Sequence, residues 1–184
     1  RYDVKKNYEE EEANAIGTEM LRAELLAPGS AANTKKLLTE YLQYRIDFYN
    51  ETDTQALAEI NNKTLALQTA LWASVSSEVR ASQTPVMALV AAGMNDVINT
   101  QGYTQAAWWN KFPASAWTLL FGVALFACML IGYGTHRSQK IKPYLFIFPF
   151  IISLSLALVS DIGSPRGGMI KVKPQNLIAL QNSL

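Results

Sequence analysis

Apolar residues follow two different rules along this chain. Up to residue 112 they recur at gaps of three and four among charged and amide side chains, the spacing of helices with one apolar stripe. Beyond it, two runs lack Asp, Glu, Lys and Arg altogether: one between Phe112 and His136, the other from Pro143 to Ser160. The first rule predicts about four helices over residues 1–112. The second predicts a hairpin of membrane helices at about 114–134 and 143–160.

Residues 1–26 read as one helix, with Ala13, Ile16, Met20, Leu21 and Leu25 on its apolar face. Four glutamates, Glu9 to Glu12, precede that face. Consecutive helix positions point in different directions, so the four do not converge on a cation and are expected to face solvent. Pro28-Gly29-Ser30 is expected to end this helix, and Asn33 or Thr34 to cap the next. That second helix runs to about Tyr49, with Leu37, Leu38, Tyr41, Leu42 and Phe48 as its stripe. Asp53 or Thr54 can cap a third helix. There Leu57, Ile60, Thr64, Leu67, Leu71, Val75 and Val79 make the clearest amphipathic pattern of the chain, widened by Leu65 and Trp72. Pro85 suits the first turn of a fourth helix, lined by Val86, Leu89, Val90, Met94, Val97 and Ile98, with Asn95 and Asp96 turned to solvent.

The two uncharged runs are each long enough, or nearly so, to cross roughly 30 Å of hydrocarbon. Neither shows a polar face. Trp108, Trp109 and Trp117 cluster at the entrance of the first, and Tyr133 and Tyr144 flank the connecting loop, as in an aromatic interface belt. The loop carries Arg137, Lys140 and Lys142, a density of positive charge that places it on the cytoplasmic side and residues 1–112 outside. Residues 161–184 form a Gly- and Pro-rich turn followed by a tail helix opened by Pro174, with Leu177, Ile178 and Leu180 on one face. A carboxylate at a helix C-terminus opposes the macrodipole. Asp161 is therefore expected to pair with Arg166 and pin the tail against residues 1–112.

Charge and composition add mainly exclusions. Sixteen Lys and Arg balance fifteen Asp and Glu, so no nucleic-acid partner is expected. The single cysteine, Cys128, cannot form an intrachain disulfide and reads as a packing residue. His136 is the only histidine. No spacing suggests a metal set, a phosphate-binding Gly-rich loop or a nucleophile elbow, so neither catalytic residue, cofactor nor metal is expected. The sequence opens on Arg1 rather than Met, and an upstream segment is expected.

Two segments resemble the bacterial bestrophin-like membrane protein family. Glu12-Ala-Asn-Ala-Ile-Gly-Thr18, with Leu21, Arg22, Leu25, Leu26 and Pro28, is similar to the block after that family's second membrane helix. Asp161, Pro165, Arg166, Gly167, Gly168, Ile170 and Val172 resemble its closing segment, with one or two extra residues between Asp161 and Pro165. Tyr41, Trp72 and the uncharged runs follow in the expected order, so the resemblance spans essentially the whole chain. It implies two further membrane helices before Arg1, a bacterial inner-membrane setting and a weak kinship with anion channels.

These readings converge on an all-α integral membrane protein: a polar helical region, an antiparallel transmembrane helix hairpin and a short C-terminal helix. Its expected partners are the lipid bilayer and further copies of itself, as an oligomeric ion channel or transport component. The alternative is a membrane-anchored scaffold that binds a protein partner through its helical region.

Overall fold

Helix boundaries follow the capping chemistry of the sequence. In the computed structural model, which describes residues 2–110, 113–135, 144–163 and 171–184, α1 spans Tyr2–Arg22 and passes into a 3-10 turn, Ala23–Leu25. Leu26 is extended (φ −78°, ψ 165°), and α2 spans Pro28–Asn50. Pro28 thus begins α2 rather than closing α1. Its fixed φ and missing N–H suit a first helical turn, where no intrahelical donor is needed. Ala27 before it is held extended (ψ 146°), as a residue before proline prefers. The expected caps at Asn33 or Thr34 lie inside this helix.

α3 spans Thr54–Ala81, and Asp53 caps it, its Oδ2 accepting from the Ala56 N–H at 2.8 Å. α4 spans Pro85–Trp109, with Pro85 in its first turn and the Met87 N–H donating to Thr84 Oγ1 at 3.2 Å. α5 spans Ala114–Thr135, α6 Tyr144–Gly163 and α7 Gln175–Ser183. Among the described residues no strand occurs.

The chain divides into two units, residues 1–109 with 171–184, and residues 110–170. In the first, α1 packs along α4 and α2 along α3; α3 joins α4, and α7 lies against α1 and α2. Ile16, Leu38, Tyr41, Leu42, Leu71, Val90, Met94, Val97 and Leu177 are completely enclosed. The α3 stripe is buried at Thr64, Leu67, Leu71 and Val75, whereas Leu65 and Trp72 stand exposed. On α4 the buried face is Met87, Val90, Gly93, Met94, Val97, Gln101, Thr104 and Trp108. Val86 and Leu89, expected to line it, are exposed, and Asn95 and Asp96 face solvent.

The glutamate run departs from its expected solvent face. Lys5, Glu9, Glu12, Ile16, Glu19 and Met20 share the buried stripe of α1, while Glu10 and Glu11 are exposed. Gaps of three and four, not adjacency, decide which charges turn inward.

In the second unit α5 and α6 lean on one another, and most of their large apolar side chains are exposed, among them Leu119, Phe126 and Leu130. Cys128 is exposed here too. The expected two-span hairpin is not what these helices form. Among the described residues one helical stretch, within Pro85–Gly134, is long and apolar enough to cross a membrane by length and composition. The second apolar stretch is Ile147–Asp161, and at 1.5 Å per residue it reaches about 22 Å, short of roughly 30 Å of hydrocarbon. Pro149 falls inside α6 as well. With the hairpin go the channel or transport reading, the lipid bilayer as its partner, and the integral inner-membrane setting with residues 1–112 outside. A channel also needs a continuous polar path, and Glu12, Arg45, Tyr49 and Thr104 of the first unit instead bond one another in its core.

Candidate functional site

The core of the first unit is built around a charge pair. Glu12 of α1 and Arg45 of α2 are completely buried. Arg45 Nε donates to Glu12 Oε1, and its second terminal nitrogen reaches Glu12 Oε2 at 3.4 Å. The Tyr49 and Thr104 hydroxyls also donate to Glu12 Oε2, each at 3.3 Å. Two helices, α2 and α4, thus bring donors to one carboxylate on α1, which is how a buried charge becomes tolerable. A second link runs beside it: Gln68 Nε2 donates to the Tyr41 hydroxyl at 3.4 Å and to Gln101 Oε1 at 3.2 Å.

Electrostatics reinforce the pair. Burial works against the Arg45 charge, but Glu12, with Tyr41 and Tyr49, outweighs it and raises the Arg45 pKa. Burial, and after it the Glu12 charge, holds the Tyr41 and Tyr49 hydroxyls well above the ordinary phenol range. Both phenols stay protonated and serve as hydrogen-bonding groups.

Aromatic rings wall the pair. Phe48, Tyr49 and Trp108 meet edge to face, with centroids 5.6, 5.6 and 5.7 Å apart. The Arg45 guanidinium lies 4.5 Å from the Phe48 centroid, and Lys5 Nζ lies 4.8 Å from that of Trp108. Trp108, read from sequence as part of an interface belt, is therefore a core residue of this unit. Trp109 beside it is 73% exposed. Trp117 is half-buried on α5 and stacks on Phe121 with centroids 5.9 Å apart. Tyr133 is 87% exposed near the end of α5, and Tyr144 opens α6. Asp161 is half-buried within α6, and its expected partner Arg166 lies outside the described residues, as do His136 and the basic loop.

What holds the tail is visible elsewhere. The Glu9 carboxylate, 1% exposed, caps α7. Its Oε1 accepts from the Asn176 and Leu177 N–H groups at 2.9 and 3.0 Å, and its Oε2 from Asn176 Nδ2 at 2.7 Å. An anion at the positive end of a helix satisfies donors that would otherwise lack partners. Lys6, Lys171 and Lys173 line a hollow of about 200 Å³ around this cap. Glu9 already occupies the amides through which that hollow would hold an anion.

A second concavity, an open groove of about 490 Å³, runs between α1 and α7. Ala13, Gly17 and Ala179 contribute small side chains, and Leu21, Leu180 and Leu184 supply apolar surface. Gly17 lets α7 approach: a Cβ there would lie 3.1 Å from Leu180 Cδ1. Among the described residues no group of three or more His, Cys, Asp and Glu side chains is placed to hold a metal ion.

The sequence pattern missed the Glu12–Arg45 pair and the Glu9 cap. The usable signal was their shared register with Ile16 on α1. No family model, no curated protein and no solved structure matches the chain, so the resemblance to bestrophin-like proteins rests on its own residues.

Proposed function

We propose that the helical unit is a protein-interaction module, which receives a segment of a protein partner in the groove between α1 and α7. The groove carries this reading: it is open to solvent, and it is bordered by Leu21, 69% exposed, and Leu184, 61% exposed. Apolar side chains left at the rim of a concavity gain by being covered, at about 25 cal/mol per Å². Small residues on α1 and α7 leave room for a partner backbone to come close. Asn14, Thr18, Asn176 and Ser183 place amide and hydroxyl groups along the same groove, which suits a segment with both apolar and polar positions. The Glu12–Arg45 pair ties the buried face of α1 to α2, which keeps the receiving surface fixed.

A photo-crosslinking amino acid at Thr18 of the full chain, expressed in its native cells, tests the proposal. The expected result is a discrete protein adduct that disappears with Leu21→Asp and is absent from the same probe at Asn62, exposed on α3. No adduct at Thr18, or equal adducts at both positions, would overturn it.

A further inference from the structure

Glu19 lies on the face of α1 that meets α4. It is completely buried, and neither carboxylate oxygen has a hydrogen-bond partner among the described residues. The space it occupies exists because α4 has a glycine opposite. A Cβ at Gly93 would lie 2.0 Å from Glu19 Oε2, 2.2 Å from a terminal nitrogen of Arg22 and 3.0 Å from Arg22 Cδ. Any side chain at position 93 would displace both groups.

Few charges act on this notch. Arg22 follows on the same helix, and Asp96 lies three residues beyond Gly93 on α4. From the 3-10 turn, Glu24 is exposed and paired with Lys35 of α2 at 2.7 Å. Arg45 of α2 is engaged by Glu12, and α7 carries no titratable side chain. Burial pushes the Glu19 pKa up to about 8; Arg22 opposes the rise and Asp96 adds to it. A fully buried carboxyl with no hydrogen-bond donor favours the neutral acid for the same reason, even with the Arg22 guanidinium sharing the notch.

We propose that Glu19, seated in the Gly93 notch, is a proton-operated latch on the seam between α1 and α4. As the neutral acid it fills the notch and the seam closes. When the proton leaves, the carboxylate is drawn toward water and this turn of the seam loosens. The direction follows from linkage: the folded-state pKa lies above the unfolded value of 4.5, so stability falls as pH rises from about 4.5 to about 8 and levels beyond. The latch needs no bound partner, so its test is separate from that of the groove.

The test uses the full-length chain. The Glu19 13Cδ resonance, assigned by its loss in Glu19→Gln, should titrate near pH 8. Between pH 5 and 8.5 the urea-unfolding equilibrium of the wild type should shift toward unfolding by up to about three orders of magnitude more than that of Glu19→Gln. Amides of residues 16–22 and 90–97 should lose protection from hydrogen exchange over the same range, after correction for intrinsic rates. Gly93→Ala, which evicts the carboxylate while keeping it in the chain, should return Glu19 to the ordinary carboxylate range and flatten the pH response. A Glu19 midpoint below about pH 6, or equal pH responses of wild type and Glu19→Gln, would overturn the proposal.

Discussion

The two units of this chain bury opposite things. In the first, Lys5, Glu9, Glu12, Glu19 and Arg45 lie inside, while Leu65, Trp72 and Leu89 stand exposed. In the second, the exposed residues are themselves apolar: Leu119, Phe121, Leu125, Phe126 and Leu130 on α5, with Phe150 and Leu154 on α6. Hydrophobicity read along a sequence measures what would gain from leaving water. It does not say whether neighbouring helices supply a place to go. The first unit has five α-helices to share a core, and enough facing donors to take a carboxylate inward with the leucines. The second has two described helices and few neighbours, so its apolar side chains remain at the surface.

The largest expected effect breaks this contrast at its centre. Arg45→Ala removes the cation from Glu12 and leaves a buried carboxylate with two hydroxyl donors, Tyr49 and Thr104. Breaking a buried pair from one side costs about 3–5 kcal/mol. Glu12→Met with Arg45→Met should recover much of that loss, because an apolar pair of similar length needs no donors. Urea denaturation followed by helical circular dichroism measures both. If Arg45→Ala and the double variant unfold at the same urea concentration, the cost lies in losing the pair's own attraction and hydrogen bonds and not in leaving a charge unpaired.

A matched pair of truncations sharpens the comparison between units. Phe48 is 1% exposed and touches Tyr49 and Trp108; Phe126 is 68% exposed. Phe48→Ala should destabilise the protein by about 3–5 kcal/mol, the usual cost of an emptied aromatic site. Phe126→Ala removes surface that is already in contact with solvent and should stay within about 0.5 kcal/mol. Urea midpoints of the two variants, measured side by side, decide the point. Comparable losses would mean that α5 is covered in solution.

How much of this was legible in the sequence depends on the residue class. The first four helices were, because Pro85, Asp53 and the periodic stripe at Thr64, Leu67, Leu71 and Val75 each act locally, although Pro28 opens α2 rather than closing α1. The inward charges were not. A glutamate is expected outside unless a donor awaits it, and the donors to Glu12 come from Arg45, Tyr49 and Thr104, 33 to 92 positions away. Glycine was equally silent: Gly17 and Gly93 are defined by Leu180 and Glu19 opposite them. The two-span hairpin was over-read for a related reason. Lack of charge was visible, but among the described residues the apolar stretch within α6 covers only Ile147–Asp161, too short to match the first.

The smallest effect concerns the seam by which the tail joins the first unit. Glu9 receives two backbone N–H groups of α7 and the Asn176 side chain, and α7 is only nine residues long. A helix of that length is marginal by itself, so its stability comes from packing and from its cap. Leu177, fully buried, supplies the packing; Glu9 supplies the cap. Glu9→Ala leaves the buried Leu177 N–H and the part-buried Asn176 donors without that acceptor and should cost about 1–3 kcal/mol. The loss should be local. Limited proteolysis should cut residues 171–184 first in Glu9→Ala, while amide protection around Leu38, Tyr41 and Leu42 on α2 stays near wild type. Glu10→Ala, one position away and exposed, should leave the tail as resistant as before. Equal proteolysis of the two variants would show that Leu177 packing alone holds α7, and that the buried carboxylate is carried at a cost without closing the tail.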